Sequence, residues 1–537
     1  MIHTREFVKR EDCEGWECTT LGDKFDESAK RYGDKPAVVD DENSLTYLEL
    51  KNCADSMAGF FLGRGLEKGD TVVVQLPNKI LFLAVFFGLM KIGAVPVLVL
   101  PAHREAVING IFELAEPKAY ITASPIMDKD FVSEAVKIAG SHGCAPMLFF
   151  DSELESILDP QYHQEILCCK PSYKDVAFMT LSGGTTGIPK MIPRTHGDYI
   201  YNSRVTVERC GWDEDTVFLA AIPAAHNFAL GTPGVIGTLI SGGTNVLTMY
   251  ASPVDIFDSI EEYHVTAACM VPTLASLCAE YRGTDQTSDL SSLKYLLVGG
   301  ATFSPADAAR VREMFECTLI QVYGMAEGLT CATRTDDPDH VVLNTQGKPC
   351  SPYDEVRIVD ENDCDVPDGT SGEILTRGPY TISAYYRLMQ VQQTNFTKDG
   401  WYRTGDKGVI TESGNLQILG RVKELINRAG EKIVPSMLEE CICAHKKVNA
   451  CSVVGVPDRL LGNRICPFII KNTGQQLELE EVKEHLRKRG FADYTLPDQL
   501  FFIQGFPLTA VGKIDKNKLK AMAETEKRHE KEVALYE

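Results

Sequence analysis

TVVVQLPNKILFLAVFFGLMKIGAVPVLVLP, residues 71–101, holds a β-rich run, an apolar stretch from Ile80 to Met90, and a second β-rich run from Ala94. Two short apolar strands separated by a helix-length segment predict a β–helix–β unit. The strands are apolar throughout, as expected where helices cover both faces of a parallel sheet. The same order recurs at 293–324, as LKYLLVGG, SPADAARVREMF and CTLIQVYG. The expected fold class is α/β: a large N-terminal domain of parallel or mixed sheets flanked by helices. The apolar stretch lies between Lys79 and Lys91 and has eleven residues. A bilayer needs about 20, so it reads as a buried helix and no membrane association is expected.

Composition narrows the class further. A chain of 537 residues exceeds one ordinary core, so two or more domains are expected. Net charge is −21, with no basic block, which disfavours nucleic acid as a partner. The 17 cysteines show no paired CxxC spacing, against a structural zinc site or a disulfide framework. They read as reduced thiols, and the polar N-terminus MIHTREFVKRED does not resemble a secretory leader. Cytoplasm is the expected location.

Glycines and polar residues gather where the strands end, at Gly299–Gly300 and Tyr323–Gly324. Ligands of open α/β sheets sit at the carboxyl ends of strands, so 299–301 and 321–327 are candidates for one cleft. From 351 to 420 the chain is rich in Gly, Asp and Thr with short strands (EVRIVD, GEILTRG, LQILG), which predicts an antiparallel unit. Beyond it an α+β pattern follows: a helix near 436–445, strands ACSVVGV and FIIKN, a helix over 479–489 and a strand QLFFI. The expected domains are 1–420 and 421–537. The tail from Lys516 reads as a charged, solvated helix.

LSGGTTGIPK, residues 181–190, carries the chemistry. A Walker loop needs G-x4-G-K-[ST]; here Gly183 to Gly187 is G-x3-G and Lys190 lies three residues further on. The composition still suits phosphate. Gly183, Gly184 and Gly187 let backbone N–H groups approach an anion, Ser182, Thr185 and Thr186 add neutral donors, and Lys190 adds charge.

The stretch resembles the signature loop of the adenylate-forming superfamily, which contains acyl-CoA synthetases, luciferases and peptide-synthetase adenylation domains. Further motifs follow in that family's order across essentially the whole chain: VYGMAE (322–327), YRTGD (402–406), GRVKELINRAGEKI (420–433) and PLTAVGK (507–513). The resemblance implies a small mobile C-terminal domain and two half-reactions. A carboxylate attacks the α-phosphate of ATP, giving an acyl-adenylate and pyrophosphate, and a thiol then displaces AMP. It implies that Asp406 takes the ribose hydroxyls and that Gly300, Ala301, Val322, Tyr323 and Gly324 frame the adenine. Glu327 would hold Mg²⁺, and Arg421 would bridge the ribose and the first hinge residues. Lys432 is a further nucleotide contact. Lys513 would neutralise charge where carboxylate and α-phosphate meet. Lys423 occupies the hinge position, and Gly430 would line the tunnel for the incoming thiol. One departure is Ala326, where the commoner motif has a threonine; GMAEGL resembles the aryl-acid branch.

The acid is read from PAAHNFALGTPG, 223–234. Amino-acid adenylation domains carry an aspartate where this chain has Asn227. A neutral amide cannot balance a buried ammonium, but it can bond a group ortho to a carboxylate. Phe228 offers an aromatic wall, and His226 is a candidate both for catalysis and for the pocket. The segment resembles the stand-alone 2,3-dihydroxybenzoate–AMP ligases of siderophore synthesis, in which a serine near the 3-hydroxyl sits where this chain has Thr232. 2,3-Dihydroxybenzoate is the expected substrate. Salicylate, anthranilate and 3-hydroxypicolinate stay open. The expected acceptor is a phosphopantetheinylated aryl carrier protein, with free CoA as the alternative.

Overall fold

The structure, a computed structural model, describes residues 10–123, 131–141, 146–159, 170–182, 190–284, 287–388, 394–428, 431–458 and 461–533. By compactness the chain divides into two units, Met1–Val356 with Thr376–Tyr402, and Arg357–Leu375 with Arg403–Glu537.

The opening stretch forms the expected unit. Strand Thr71–Gln75 leads to helix Ile80–Lys91 and returns as strand Val95–Leu98, parallel to the first. Every residue from Ile80 to Met90 is buried, because this helix packs against a second one, Tyr47–Gly63. Gly88 permits that approach: a Cβ there would lie 2.7 Å from the Cβ of Met57. The strands sit in a six-stranded sheet ordered Met147–Phe150, Ala119–Thr122, Thr71–Gln75, Val95–Leu98, Val176–Leu181, Met191–Thr195. All its pairs are parallel except the last.

A nine-stranded sheet forms the rest of the first unit. Its order is Lys348–Pro349, Gly328–Ala332, Thr318–Met325, Tyr295–Gly299, Ala267–Met270, Val217–Ala220, Thr244–Leu247, Pro36–Val39, Ser44–Thr46. The central strands are parallel and the edges antiparallel. The helix predicted from SPADAARVREMF spans Pro305–Phe315. Ser304 caps it by accepting from the Asp307 N–H, and proline fills the first turn, where a missing N–H costs nothing.

A four-stranded sheet, most of whose residues fall in the second unit, runs Glu355–Val359, Gly372–Arg377, Tyr402–Ile410, Leu416–Arg421, with the last pair antiparallel. Beyond it strands Val448–Asp458 and Gly462–Lys471 pair antiparallel, and the predicted QLFFI strand shortens to Phe501–Phe502. Helices Pro435–Cys443 and Leu479–Lys488 bury Leu438, Ile442, Val482 and Leu486 with Ile465 and Ile469.

The tail corrects an expectation. Helix Lys516–Val533 buries one face in its first two turns rather than being solvated all round. Leu519 and Ala523, four apart on one face, are fully buried with Val454, Val456, Cys466, Phe468 and Phe501. Lys516 pairs with Glu439 at 2.9 Å and Glu424 at 3.4 Å, and these carboxylates raise its pKa against the cost of burial. The two apolar residues were outweighed by charge in the composition, although their spacing is that of a helix face. Leu519→Ala is expected to destabilise this unit by about 2–5 kcal/mol, read from urea unfolding. Met522→Ala, at an exposed position, should change stability by no more than about 0.5 kcal/mol.

Among the described residues no helix is long and apolar enough to cross a membrane. The cysteines described are unpaired in disulfides, and most are buried.

Candidate active site

The loop 182–190 joins strands Val176–Leu181 and Met191–Thr195, which pair antiparallel with Leu181 opposite Met191. The Ser182 N–H donates to the Lys190 carbonyl at 2.9 Å, and the Lys190 N–H donates to Ser182 Oγ at 3.1 Å. The described residues on either side of the motif thus belong to an antiparallel strand pair, whereas a Walker loop runs from a strand into a helix N-terminus. Gly183, Gly184, Thr185, Thr186 and Gly187 lie outside the described residues.

Lys190 Nζ donates to Asn395 Oδ1 at 3.0 Å and sits 4.7 Å from the ring centroid of Tyr385. The Tyr385 hydroxyl donates to Glu327 Oε1 at 2.8 Å and lies 3.0 Å from the Tyr402 hydroxyl. Tyr385 thus brings the loop lysine and Glu327 to one place. Glu327 is buried, and among the described residues it makes no ion pair. Burial and the neighbouring Glu327 raise the Tyr402 phenol well above its usual pKa, so it stays a neutral donor. A buried carboxylate among neutral hydroxyls is costly without a cation.

The two predicted strand ends are neighbours. Gly299 pairs with Val322 in parallel register. A Cβ on Gly299 would lie 2.6 Å from the Val322 carbonyl oxygen and 3.3 Å from Phe228 Cζ, so the glycine lets the Phe228 ring reach the strand end. Gly300 follows with φ +90°, a left-handed conformation that suits glycine. Val322 is buried, Tyr323 half-buried, and Ala301 and Gly324 exposed.

The acid segment forms a short helix, Asn227–Gly231. His226 caps it, its Nδ1 accepting from the Phe228 N–H at 3.3 Å. Asn227 Oδ1 accepts from the Tyr199 hydroxyl at 3.1 Å. Phe228 and Thr232 are buried. The structure thus joins Phe228 to the Gly299–Val322 strand ends and ties Asn227 to Tyr199.

In the second unit, Asp406 and Arg421 are cross-strand partners, with Arg421 Nε 2.8 Å from Asp406 Oδ1. Lys513 lies on a turn in which the Thr509 N–H donates to the Lys513 carbonyl at 2.7 Å and Gly512 has φ +76°. Desolvation first, and then the Arg421 guanidinium, lower the Lys513 ammonium to about 8, against the opposing pull of Asp406 and Glu424. Asp406, Arg421 and Lys513 therefore share one electrostatic neighbourhood. Lys423 falls in the 3-10 turn Val422–Glu424, and Lys432 lies on strand Glu431–Ile433 opposite Asn427. Gly430 lies outside the described residues.

Although Tyr402 opens the YRTGD motif, sequence reading assigned no role to Tyr385, Tyr402, Asn395, Tyr199 or Arg194. The last carried a legible signal: Arg194, Thr195 and Asp198 have the spacing of an i,i+4 ion pair over a capping box. Both form, with Arg194 Nε donating to Asp198 Oδ1 at 2.9 Å inside the protein.

The AMP-binding enzyme profile matches residues 25–386, and that of the AMP-binding enzyme C-terminal domain matches 437–513. The chain is 43% identical over 517 residues to the 2,3-dihydroxybenzoate-AMP ligase of Bacillus subtilis (strain 168), covering 96% of this chain and 95% of that one. It is 39% identical over 518 residues to a salicylyl-CoA synthase / salicylate adenylyltransferase of Streptomyces sp, covering 94% of each. The apo structure of Mycobacterium smegmatis MbtA matches with a TM-score of 0.72 at 39% identity, over 94% of this chain and 95% of that one.

Proposed function

The chain belongs to the AMP-binding enzyme family, and from that premise we propose that it activates an aryl carboxylic acid with ATP, 2,3-dihydroxybenzoate first among them. In the first half-reaction a carboxylate oxygen bonds to the α-phosphorus, the α–β phosphoanhydride bond breaks, and pyrophosphate leaves. In the second, a phosphopantetheine thiol of an aryl carrier protein loses its proton and its sulfur bonds to the acyl carbon, releasing AMP. Such a product suits siderophore assembly.

The observation that carries an aryl acid over an amino acid is Asn227, a neutral amide beside the buried ring of Phe228. An α-ammonium there would lack a carboxylate partner. The named substrates of the relatives above support the same reading.

The proposed roles follow from the chemistry of each group. Ser182, Lys190 and the glycines between them bind the β- and γ-phosphates. The strand ends at Gly300–Ala301 and Val322–Gly324 frame the base, and Asp406 with Arg421 orients the ribose. Lys513 neutralises the two anions that must meet. His226, by capping the helix that carries Asn227 and Phe228, orients the acid. Mg²⁺ fits Glu327: a hard cation bound to substrate phosphates needs only one or two protein carboxylates, and Glu327 is buried and makes no ion pair among the described residues. Bound there, Mg²⁺ would neutralise phosphate charge. Residues 421–537 would rotate about Lys423 between the half-reactions, withdrawing Lys513 and bringing Gly430 to the thiol.

The test is ATP–pyrophosphate exchange with 2,3-dihydroxybenzoate, salicylate, anthranilate, benzoate and 3-hydroxypicolinate. The expected order puts 2,3-dihydroxybenzoate first and salicylate second. Silence with all five would overturn the reading. A second reading, ligation to free CoA, is favoured by the Streptomyces relative named for both activities. Loading assays with carrier protein and with CoA separate the two.

A further inference from the structure

We propose that Tyr199 is a positioning residue that turns the Asn227 amide so that its two N–H donors meet the bound acid, and that the pocket therefore selects acids whose ortho group accepts a hydrogen bond. This rests on the reading of 226–232 as the acid pocket.

The argument starts from one proton. The Tyr199 hydroxyl donates to Asn227 Oδ1 at 3.1 Å, and burial raises its pKa, so the proton stays on the phenol. A flipped amide would place an N–H2 against the phenol oxygen and leave the phenol proton without an acceptor. Leaving a buried donor unpaired is the more costly arrangement. With Oδ1 turned toward Tyr199, the side of the Asn227 amide facing away from the phenol carries the Nδ2 protons.

The ring is held where it can do this. The Arg194 guanidinium lies over it at 4.7 Å, and Phe178 meets it edge-on at 4.6 Å. Gly231 leaves it room, since a Cβ there would fall 2.5 Å from ring atoms. Arg194 is itself fixed, through Nε to Asp198 at 2.9 Å and through Nη1 to the Ala326 carbonyl at 3.0 Å. The stack ties the amide of the acid helix to the residue preceding Glu327.

The consequence is a specificity rule. A phenolic hydroxyl ortho to the carboxylate can turn its proton to that carboxylate and still accept from Nδ2. An ortho-amino group presents N–H protons and a lone pair delocalised into the ring, so it faces donor against donor. The pocket discriminates for salicylate-like acids and against anthranilate.

The experiment is ATP–pyrophosphate exchange by wild type and Tyr199→Phe with salicylate, anthranilate and benzoate, after thermal melts confirm that both fold. Wild type is expected to prefer salicylate to anthranilate. In Tyr199→Phe the amide is free to turn, so the salicylate-to-anthranilate ratio of kcat/KM should fall about tenfold, with benzoate and the KM for ATP little changed. A uniform loss on all three acids, or an unchanged ratio in a folded variant, overturns the positioning role. Should the variant not fold, the wild-type order decides, and anthranilate at or above salicylate overturns the rule. Wild-type exchange with none of them overturns both this and the aryl-acid reading, whereas exchange with the wrong preference leaves that reading standing.

Discussion

Lys513→Ala is expected to lower ATP–pyrophosphate exchange by about 10²–10³-fold while leaving aryl transfer from pre-formed adenylate close to wild type. The proposed task of this lysine is confined to the step in which a carboxylate approaches the α-phosphate. Two anions must be brought together there, and a cation aimed at them stabilises the transition state more than either substrate alone. In the thiol step no such pair forms. Equal loss in both steps would show that Lys513 supports the fold rather than the chemistry. The lowered ammonium adds a pH signature. With its pKa at about 8 in the free protein, Lys513 is a cation below that pH and neutral above it. The kcat/KM of adenylation should therefore fall as pH rises through about 8. The limb for kcat should lie higher, because bound anions favour the charged form. Lys513→Arg, with a guanidinium that stays charged, should keep reduced activity and lose the limb.

Glu327→Gln should lower kcat/KM by about 100-fold and raise the Mg²⁺ concentration needed for half-maximal exchange about tenfold or more. The amide conserves shape and can still accept from the Tyr385 hydroxyl, so the change isolates charge. In wild type the carboxylate is buried beside two tyrosine hydroxyls. Hydroxyls stabilise a carboxylate only in part; a divalent cation would compensate it fully. An unchanged Mg²⁺ dependence would remove Glu327 from the metal site.

Much of the fold was legible because its signals are local. The 71–101 unit, the capped helix Pro305–Phe315 and the strands that end at Gly299 and Val322 each rest on periodicity or turn chemistry local to each element. The motifs at 182–190, 322–327, 402–406 and 513 were legible through their resemblance to a family. Asp406 and Arg421, fifteen positions apart in sequence, came together as cross-strand partners. The tail helix was misjudged because Leu519 and Ala523 are buried only once strands from 448 to 502 have assembled a surface for them.

The sequence by itself determined the alternation of strand and helix and the family, and it nominated the charged and hydroxyl groups proposed to meet ATP and an aryl acid. Tertiary structure alone decided how those groups are held. Tyr385 reaches Glu327 across 58 residues, Arg194 reaches Ala326 across 132, and Tyr199 orients Asn227 from the neighbouring helix. No periodicity encodes such pairs, because each hydrogen bond exists only after sheet packing has desolvated both partners and made an unpaired donor costly.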